Sequence, residues 1–345
     1  MWKASVVGHF CFEYECVCGQ IIKTKVITQA LIESYGEENI SKIDTHGWIR
    51  KPMRVMREVL KTAKQSHNMV MLPAHNGVKI FAPLLHHLKN RYCCDIHYVV
   101  IGGWLPEFLQ KRKWLAKVLK KFDGIYVETN TMKIALEEQG FSNIFVMPNC
   151  KKLTLLSEQE LVYPEGVPYR LCTFSRVMRE KGIETAVNAV RAVNAELGHE
   201  AFSLDIYGQV EPEQAEWFEE LQKSFPDYVR YCGCVPADKS VEVLRSYFAL
   251  LFPTHFYTEG IPGTIIDGYA AGIPVISAKW ESYFDVVDDG KTGIGYEFGS
   301  EKQFAEILLD IARDPEKLMN MKVNCLEKAG AFLPQVAVQV LLEHL

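Results

Sequence analysis

The sequence lacks several features that would assign it to particular classes of protein. No stretch approaches the ~18 uninterrupted apolar residues of a membrane-spanning helix. Its first residues include His9, Glu13 and Glu15, which do not suit the apolar core of a signal peptide. From these absences we predict a cytoplasmic protein.

Metal-binding patterns are also scarce. Cys16-Val-Cys18 could be half of a metal site, but no second Cys or His pair with zinc-like spacing follows, and small buried side chains are the preferred interpretation. No Asp-x-Asp pair is present to hold a metal on a diphosphate. We therefore predict no metal, no separate cofactor and, without an export signal, reduced thiols instead of structural disulfides.

Length and charge indicate two domains with different partners. A chain of 345 residues suits two domains of ~150 residues each. Residues 1–155 hold 22 Lys and Arg against 13 Asp and Glu, a balance of +9, whereas the remainder holds 16 against 30, a balance of −14. The basic half favours an acidic or membrane-bound partner.

Apolar segments alternate between strand-like and helix-like spacing in two series, which predicts two parallel sheets covered by helices. The polar stretch between the series, near 150–168, resembles an interdomain connection. We predict one domain over 1–155 and a second over 156–330. The apolar segment at about 330–345 could pack on either domain, and one alternative is that it packs back on the first domain.

The most informative segment runs from His255 to Ser277 and reads as a glycine-rich turn, a helix and a strand. Gly260 and Gly263 let the backbone approach a ligand closely, and the N–H groups that open the helix after Pro262 offer partial positive charge to a phosphate. This pattern predicts a diphosphate site without a Walker lysine. Ile261 and Thr264 are the other residues of this predicted diphosphate site.

Two carboxylates of this segment are candidates for binding sugar hydroxyls. Glu259 precedes the turn and Asp267 follows eight residues later, about two helical turns on, so both could reach one elongated ligand. Alternatively, Glu259 caps the helix and Asp267 lies on a solvated face.

Cations are expected at the end of a preceding strand, in Phe174-Ser-Arg-Val-Met-Arg-Glu-Lys-Gly-Ile183. Arg176 and Lys181 could neutralise a departing diphosphate, because preorganised charge lowers the barrier where charge develops. Taken alone, the segment is also compatible with an ordinary charged loop before a helix.

Three loops of the first half could also contact substrates. Gly19 either admits a phosphate or acceptor oxygen to the backbone or forms a turn before a helix. His75 and Asn76 follow a strand and either bind acceptor hydroxyls or shape a turn. Trp104 could stack on the C–H face of a sugar.

Residues 108–122 have helical spacing, with six cations between apolar side chains. They predict a basic amphipathic helix, which either rests on an anionic membrane or packs on the sheet with a solvated face. An acceptor linked to a polyprenyl diphosphate would suit the membrane alternative.

Together these motifs resemble the retaining glycosyltransferases of family 4, whose signature has two acids separated by seven residues and then Gly-x-Pro-Val-Ile. Here Asp267 stands where the family usually has its second Glu. Asp205-Ile-Tyr-Gly208 and Asp285-Val-Val-Asp-Asp-Gly290 match further elements, and the resemblance covers residues 171 to about 315.

The resemblance implies the GT-B fold, an α/β architecture of two facing, doubly wound Rossmann-like domains. It also implies a retaining, metal-independent transfer from a nucleoside-diphosphate sugar, with UDP expected, to a glycan or lipid-linked acceptor in surface polysaccharide or glycoconjugate synthesis. Alternatives are a sugar-nucleotide 2-epimerase or a non-catalytic partner subunit. The motifs and the resemblance together give three groups of candidate residues: catalytic Arg176, Lys181 and Glu259; donor-binding Gly19, Gly208, Gly260, Ile261, Pro262, Gly263, Thr264 and Asp267; and acceptor-binding His75, Asn76 and Trp104, the last group taken from the residues themselves.

Overall fold

The computed structural model describes residues 1–12 and 19–345, which form two compact units. The first unit contains Met1–Lys152 together with Phe332–Leu345, and the second contains Leu153–Ala331. The division lies close to the one predicted after residue 155, and the C-terminal segment belongs to the first unit.

The first unit has a six-stranded parallel sheet with the order β2-β1-β3-β4-β5-β6. Its strands are β1 (Trp2–Gly8), β2 (Ile40–Asp44), β3 (Ser66–Met71), β4 (Asp95–Val99), β5 (Gly124–Val127) and β6 (Ile144–Val146). Its helices are α1 (Gly19–Tyr35), α2 (Pro52–Ala63), α3 (His75–Tyr92), α4 (Leu105–Gln110), α5 (Lys113–Leu119) and α6 (Asn130–Glu137). The central strands are apolar on both faces because helices cover both sides of a parallel sheet.

The second unit has another six-stranded parallel sheet, with the order β12-β11-β10-β7-β8-β9. Its strands are β7 (Tyr169–Phe174), β8 (Phe202–Tyr207), β9 (Val229–Gly233), β10 (Ala249–Phe252), β11 (Val275–Lys279) and β12 (Gly293–Glu297). Its helices are α7 (Ile183–Leu197), α8 (Ala215–Lys223), α9 (Ser240–Leu244), α10 (Gly263–Ala270), α11 (Tyr283–Val286), α12 (Glu301–Arg313), α13 (Glu316–Met319) and α14 (Lys322–Ala329).

Two short helices, α15 (Pro334–Ala337) and α16 (Gln339–Leu342), complete the first unit. Ala337, Val338 and Leu341 are buried in the same cluster as side chains of β1 and α1. Within the described part of the chain, no single helix is long and apolar enough to cross a membrane, and only a bent pair of helical segments between Glu316 and Leu342 reaches that length and composition.

The strand order fixes where a ligand is expected in each unit. In open α/β sheets ligands bind beyond the carboxyl ends of the strands, where the strand order reverses. In the first unit this point lies between β1 and β3, and in the second it lies between β7 and β10. The loops that follow β3, β7 and β10 carry most of the candidate residues.

One prediction about the cysteines is wrong. Cys11 is disulfide-bonded, although reduced thiols were expected throughout. Its partner falls outside the described residues, as does the Cys16-Val-Cys18 pair considered as half of a metal site. The other described cysteines are free, in agreement with the prediction: Cys93, Cys94, Cys150, Cys172, Cys232, Cys234 and Cys325.

Candidate active site

The reversal point of the second sheet brings two of the predicted catalytic side chains together. Lys181 ends a single 3-10 turn after β7, and Glu259 lies in the loop after β10. The Lys181 ammonium forms an ion pair and hydrogen bond with Glu259 Oε1. These residues are 78 positions apart in sequence, so their contact follows from the adjacency of β7 and β10.

The surroundings of this ion pair are only partly open to water. The Lys181 and Glu259 side chains retain 14% and 17% of their accessible surface. The Lys181 ammonium lies 5.5 Å from the ring centroid of Phe252 and 5.1 Å from that of Phe256, and Thr254 donates to Glu259 Oε1 at 3.3 Å. Charges in such a site act more strongly on a ligand than they would in water.

Glycine is required where these loops approach other backbone. Gly182 has φ 71°, and a Cβ there would fall 1.8 Å from the carbonyl oxygen of Pro253. Gly208, after β8, has φ 134°, and a Cβ there would fall 1.8 Å from the carbonyl oxygen of Ser175. Gly208 therefore lets the chain after β7 run against the end of β8, which is a packing role beside its predicted role in donor binding.

Helix α10 begins at Gly263 with Pro262 at its N-cap. Pro has no side-chain oxygen to cap the helix, so the partial positive charge of the first turn is available to an anion. The Thr264 hydroxyl in that turn is buried and has no hydrogen-bond partner among the described residues. Gly260 and Ile261 are buried in the preceding turn, which fixes the backbone that leads into the helix.

Asp267 does not lie on the solvated face that was considered as its structural alternative. Because α10 starts at Gly263, Asp267 lies about one helical turn inside the helix, and not two turns from Glu259. Its side chain is buried, and Ser240 donates to Oδ1 at 3.0 Å. The solvated face proposed as its structural alternative is therefore wrong.

Arg176 does not contact the Lys181 pair by any hydrogen bond or salt bridge recorded among the described residues. Its guanidinium pairs instead with Glu211, at 2.7 Å from Nη1 to Oε2, and remains largely exposed. Glu211 follows β8 and was not singled out from the sequence. Only the adjacency of β7 and β8 reveals that the two residues meet.

In the first unit, the predicted acceptor residues His75 and Trp104 are in direct contact. Their rings stack with centroids 3.9 Å apart and an interplanar angle of 30°. Phe108 meets both rings edge-on, and the Arg112 guanidinium lies over Phe108 at 3.9 Å. Burial, with Arg112 and Lys79 nearby, lowers the pKa of His75 below its ordinary value, which favours a neutral ring.

Asn76 and Gly19, the two other predicted residues of the first unit, are exposed, as His75 is. Asn76 follows His75 at the start of α3. Gly19 begins α1 with no atom within 4 Å of the position its Cβ would take. Residues 13–18, directly before Gly19, are not described.

The basic helix predicted over 108–122 is wrong as a continuous element. Helix α4 ends at Gln110, and Arg112 has φ −138° and ψ 61° before α5 begins. Leu115, Leu119 and Phe122 are buried in the core of the first unit. The apolar side that would enter a membrane therefore packs against the sheet, and Trp114 is the large apolar side chain left exposed there.

Comparison with known proteins shows which enzymes part of this chain resembles. Residues 168–314 match the family model of the glycosyl transferases group 1. This segment, less than half of the chain, is similar to the group 1 glycosyltransferases. The matched segment contains both the Lys181–Glu259 pair and α10.

Two curated relatives carry the same assignment. The putative colanic acid biosynthesis glycosyltransferase WcaL of Salmonella typhimurium is 24% identical over 178 residues, which is 50% of this chain and 43% of that protein. The amylovoran biosynthesis glycosyltransferase AmsK of Erwinia amylovora is 23% identical over 150 residues, 42% of this chain and 36% of that protein. The matched parts therefore span less than half of either relative.

Solved structures extend the likeness in fold to both units. Anabaena HepE in complex with UDP and glucose superposes with a TM-score of 0.74 at 13% identity, covering 99% of each chain. Sucrose-phosphate synthase from Thermosynechococcus elongatus gives a TM-score of 0.74 at 14% identity, covering 100% of this chain and 98% of that one. The predicted GT-B fold class is confirmed: two six-stranded parallel sheets with flanking helices.

Proposed function

We propose that this protein is a glycosyltransferase that moves a sugar, with retention of anomeric configuration and without a metal, from a UDP-sugar to a glycan or lipid-linked acceptor in surface polysaccharide synthesis. The observation that carries the proposal is the Lys181–Glu259 pair at the strand reversal of the matched segment. The UDP bound in the HepE structure and the two polysaccharide-synthesis relatives support the choice of donor and pathway.

Departure of UDP leaves negative charge on a phosphate oxygen, and the second unit offers two sources of positive charge to meet it. Lys181 stands at the reversal point, and the first turn of α10 presents its N–H groups. Arg176 could add a third if its guanidinium turned from Glu211. Among the described residues no group of three or more His, Cys, Asp or Glu is placed to hold a metal ion, so the proposed charge neutralisation uses these groups.

The carboxylates take the sugar-binding roles in the proposal. Glu259 is oriented by Lys181 and Thr254, so its second oxygen can accept from a hydroxyl of the donor sugar. Asp267 is oriented by Ser240 and would accept from the ribose. In a retaining transfer the acceptor oxygen attacks from the face that UDP leaves, and a phosphate oxygen of UDP takes the acceptor proton, so no protein nucleophile is required.

The acceptor is assigned to the first unit. The stacked His75 and Trp104 rings offer apolar faces to a sugar, and the neutral His75 can donate or accept one hydrogen bond. Arg112 and Lys79 flank this stack, so an anionic group on the acceptor, such as a diphosphate, would be attracted to it.

The test is a panel of nucleotide sugars offered with two acceptors, octyl glucoside and farnesyl-diphosphate-linked glucose. We expect release of UDP with at least one UDP-sugar, and turnover at least ~100-fold lower in Lys181→Ala and Glu259→Ala, because each removes a contact to developing charge or to the sugar. The matched control is Lys302→Ala, which removes a lysine that is 87% exposed in the same unit. Near-normal rates in both site variants would refute the assigned roles.

Association with an anionic membrane is a separate part of the proposal. It rests on the exposed Trp114 and the exposed lysines around it. Sedimentation with liposomes containing an anionic lipid should fall when Lys111, Arg112, Lys113 and Lys117 are all changed to Glu. Equal sedimentation of this variant and the wild type would exclude a membrane contact through these residues.

A further inference from the structure

The first unit contains a buried ion pair that none of the roles above uses. Lys23 lies in the second turn of α1 and Glu128 directly follows β5, and the two residues are only 2% and 3% exposed. The Lys23 ammonium is 2.5 Å from Glu128 Oε1 and also donates to the carbonyl of Val100 at 2.9 Å. Burying two charges is costly, and an apolar pair of similar volume often serves stability as well.

The pair is bonded directly to the turn that presents Trp104. Glu128 Oε1 accepts from the backbone N–H of Gly102 at 3.1 Å, and Lys23 donates to the carbonyl of Val100. The ion pair therefore bonds to the backbone on both sides of Ile101. The indole N–H of Trp104 donates to the carbonyl of Ile101 at 2.7 Å. Movement of the 100–104 turn would therefore move Trp104, and with it the stack on His75.

The same turns of α1 hold the segment that leads to His75. The Gln20 side chain donates to the carbonyl of Leu72 at 3.1 Å, and Tyr98 donates to the carbonyl of Pro73 at 3.0 Å. Gly8 lies so close to α1 that a Cβ there would be 2.7 Å from Thr24. The start of α1 is thus fixed to the chain after β1, β3 and β4, and the Lys23–Glu128 pair is its connection to the Trp104 turn.

We infer that Lys23 and Glu128 are positioning residues that hold Trp104 against His75 and thereby set the affinity for the acceptor. Neither side chain reaches the surface, so neither contacts the acceptor itself. The geometric part of this inference needs no substrate, whereas the part about acceptor affinity rests on the proposed function.

The variants must separate positioning from folding. Glu128→Ala alone would leave a buried ammonium without this counter-charge and could simply unfold the unit. Lys23→Met/Glu128→Leu removes both charges at similar volume but leaves the N–H of Gly102 without its carboxylate. Lys23→Met/Glu128→Gln keeps an acceptor oxygen for that N–H.

A matched control exists at the opposite ends of the strands. Lys89 pairs with Asp123, which precedes β5 and accepts from the backbone of Ile96. The double variant Lys89→Met/Asp123→Asn removes an ion pair from the same unit. This pair lies where β4 and β5 begin, whereas Trp104 lies beyond the end of β4. It should leave the acceptor KM and the His75 environment unchanged.

With farnesyl-diphosphate-linked glucose as acceptor, we expect Lys23→Met/Glu128→Leu to raise the acceptor KM ~10-fold or more. Hydrolysis of the UDP-sugar in the absence of acceptor should stay within about twofold of wild type, and Lys23→Met/Glu128→Gln should restore most of the acceptor affinity. An unchanged acceptor KM, or a parallel loss of donor hydrolysis, would overturn the inference.

Two measurements without substrate keep the inference testable if no transfer is found. In Lys23→Met/Glu128→Leu, hydrogen exchange of the Gly102 amide should accelerate, and the NMR-measured pKa of His75 should rise towards its ordinary value as the ring loses its burial against Trp104. If both stay as in the wild type while the fold is intact, the pair does not position Trp104. Absence of any transfer by the wild type would refute the proposed function and leave this result standing.

Discussion

At the scale of single residues, Arg176 is the candidate whose environment differs most from its assigned role. It was expected to face a phosphate, yet it pairs with Glu211 at 2.7 Å. If Arg176 turns to the leaving phosphate during transfer, the ion pair between Arg176 and Glu211 forms only when no donor is bound. An exposed pair of this kind contributes at most ~1 kcal/mol, so exchanging it for a phosphate contact is energetically feasible.

This gives opposite expectations for the two partners. Arg176→Ala should lower kcat/KM for the donor by ~10-fold or more, because a charge contact in the transition state is lost. Glu211→Ala should leave kcat/KM unchanged or raise it, because a competitor for the guanidinium is removed. Steady-state kinetics with the UDP-sugar would decide, and equal losses in both variants would show that the ion pair itself is needed.

Lys322 in α14 is a buried cation without a carboxylate partner at salt-bridge distance among the described residues. Its ammonium makes one long hydrogen bond, 3.4 Å to the carbonyl of Tyr247, and burial lowers its pKa to about 8 from an ordinary value of 10.5. Between these two pKa values the unfolded chain binds more protons than the folded chain. The free energy of unfolding should therefore rise with pH in this window, by about 1.4 kcal/mol per pH unit from this group.

Lys322→Met tests the sign of that effect. Met has a similar length and no charge, so the variant should be more stable than the wild type at pH 7, and its advantage should shrink by ~2 kcal/mol between pH 8 and 9.5. Urea unfolding of both proteins at the two pH values measures the difference. An advantage that stays constant with pH would mean that the amine is equally protonated in the folded and unfolded chains across this window, so that burial does not lower its pKa.

At the scale of elements, the loops after the strands could be predicted from the sequence because glycines and charges cluster there. Lys181, Glu259 and Pro262 lie after β7 and β10 as the motifs indicated. The sequence does not indicate the edge strand β2, because only Ile40 and Ile43 are buried in it and it has no continuous apolar run. The break between α4 and α5 was missed because no Gly or Pro marks it, and Arg112 lies over Phe108 there.

The turns at Gly182 and Gly208 allow a prediction with an internal control. Gly182→Ala and Gly208→Ala each place a Cβ 1.8 Å from a carbonyl oxygen, so the chain after β7 must shift. We expect a loss of ~3 kcal/mol or more in the free energy of unfolding, with weaker UDP binding. Gly198→Ala has a similar φ of 73° but no atom within 4 Å, so only the ~1 kcal/mol cost of the left-handed conformation should appear, with normal UDP binding.

Urea unfolding and calorimetric titration with UDP would measure both effects. If Gly182→Ala and Gly198→Ala lost the same stability, the close approach to Pro253 would not be a real constraint on this loop.

At the scale of the whole molecule, the division into two units could be anticipated from charge and from the polar stretch before residue 168, whereas the pairings between distant residues could not. Glu211 meets Arg176 because β7 and β8 end side by side, whereas Ser240 of α9 meets Asp267 of α10, and Glu128 after β5 meets Lys23 of α1. Sequence spacing does not encode these contacts without the order of strands and helices. The same holds for the C-terminal segment, which is apolar enough to pack on either unit and lies in the core of the first.

The C-terminal segment Phe332–Leu345 therefore completes a unit whose other residues precede residue 153. Leu341 is fully buried in a cluster with Val6, Ile27 and Leu31, so Leu341→Ala should lower the free energy of unfolding of the first unit by ~3 kcal/mol through the lost contacts and the cavity. Val336, which is 54% exposed in α15, is the control, because Val336→Ala should change stability by less than ~0.5 kcal/mol. UDP binding by the second unit should be normal in both variants. If Leu341→Ala instead weakened UDP binding while the first unit kept its stability in urea, the C-terminal segment would be acting on the donor unit, and its assignment to the first core would be wrong.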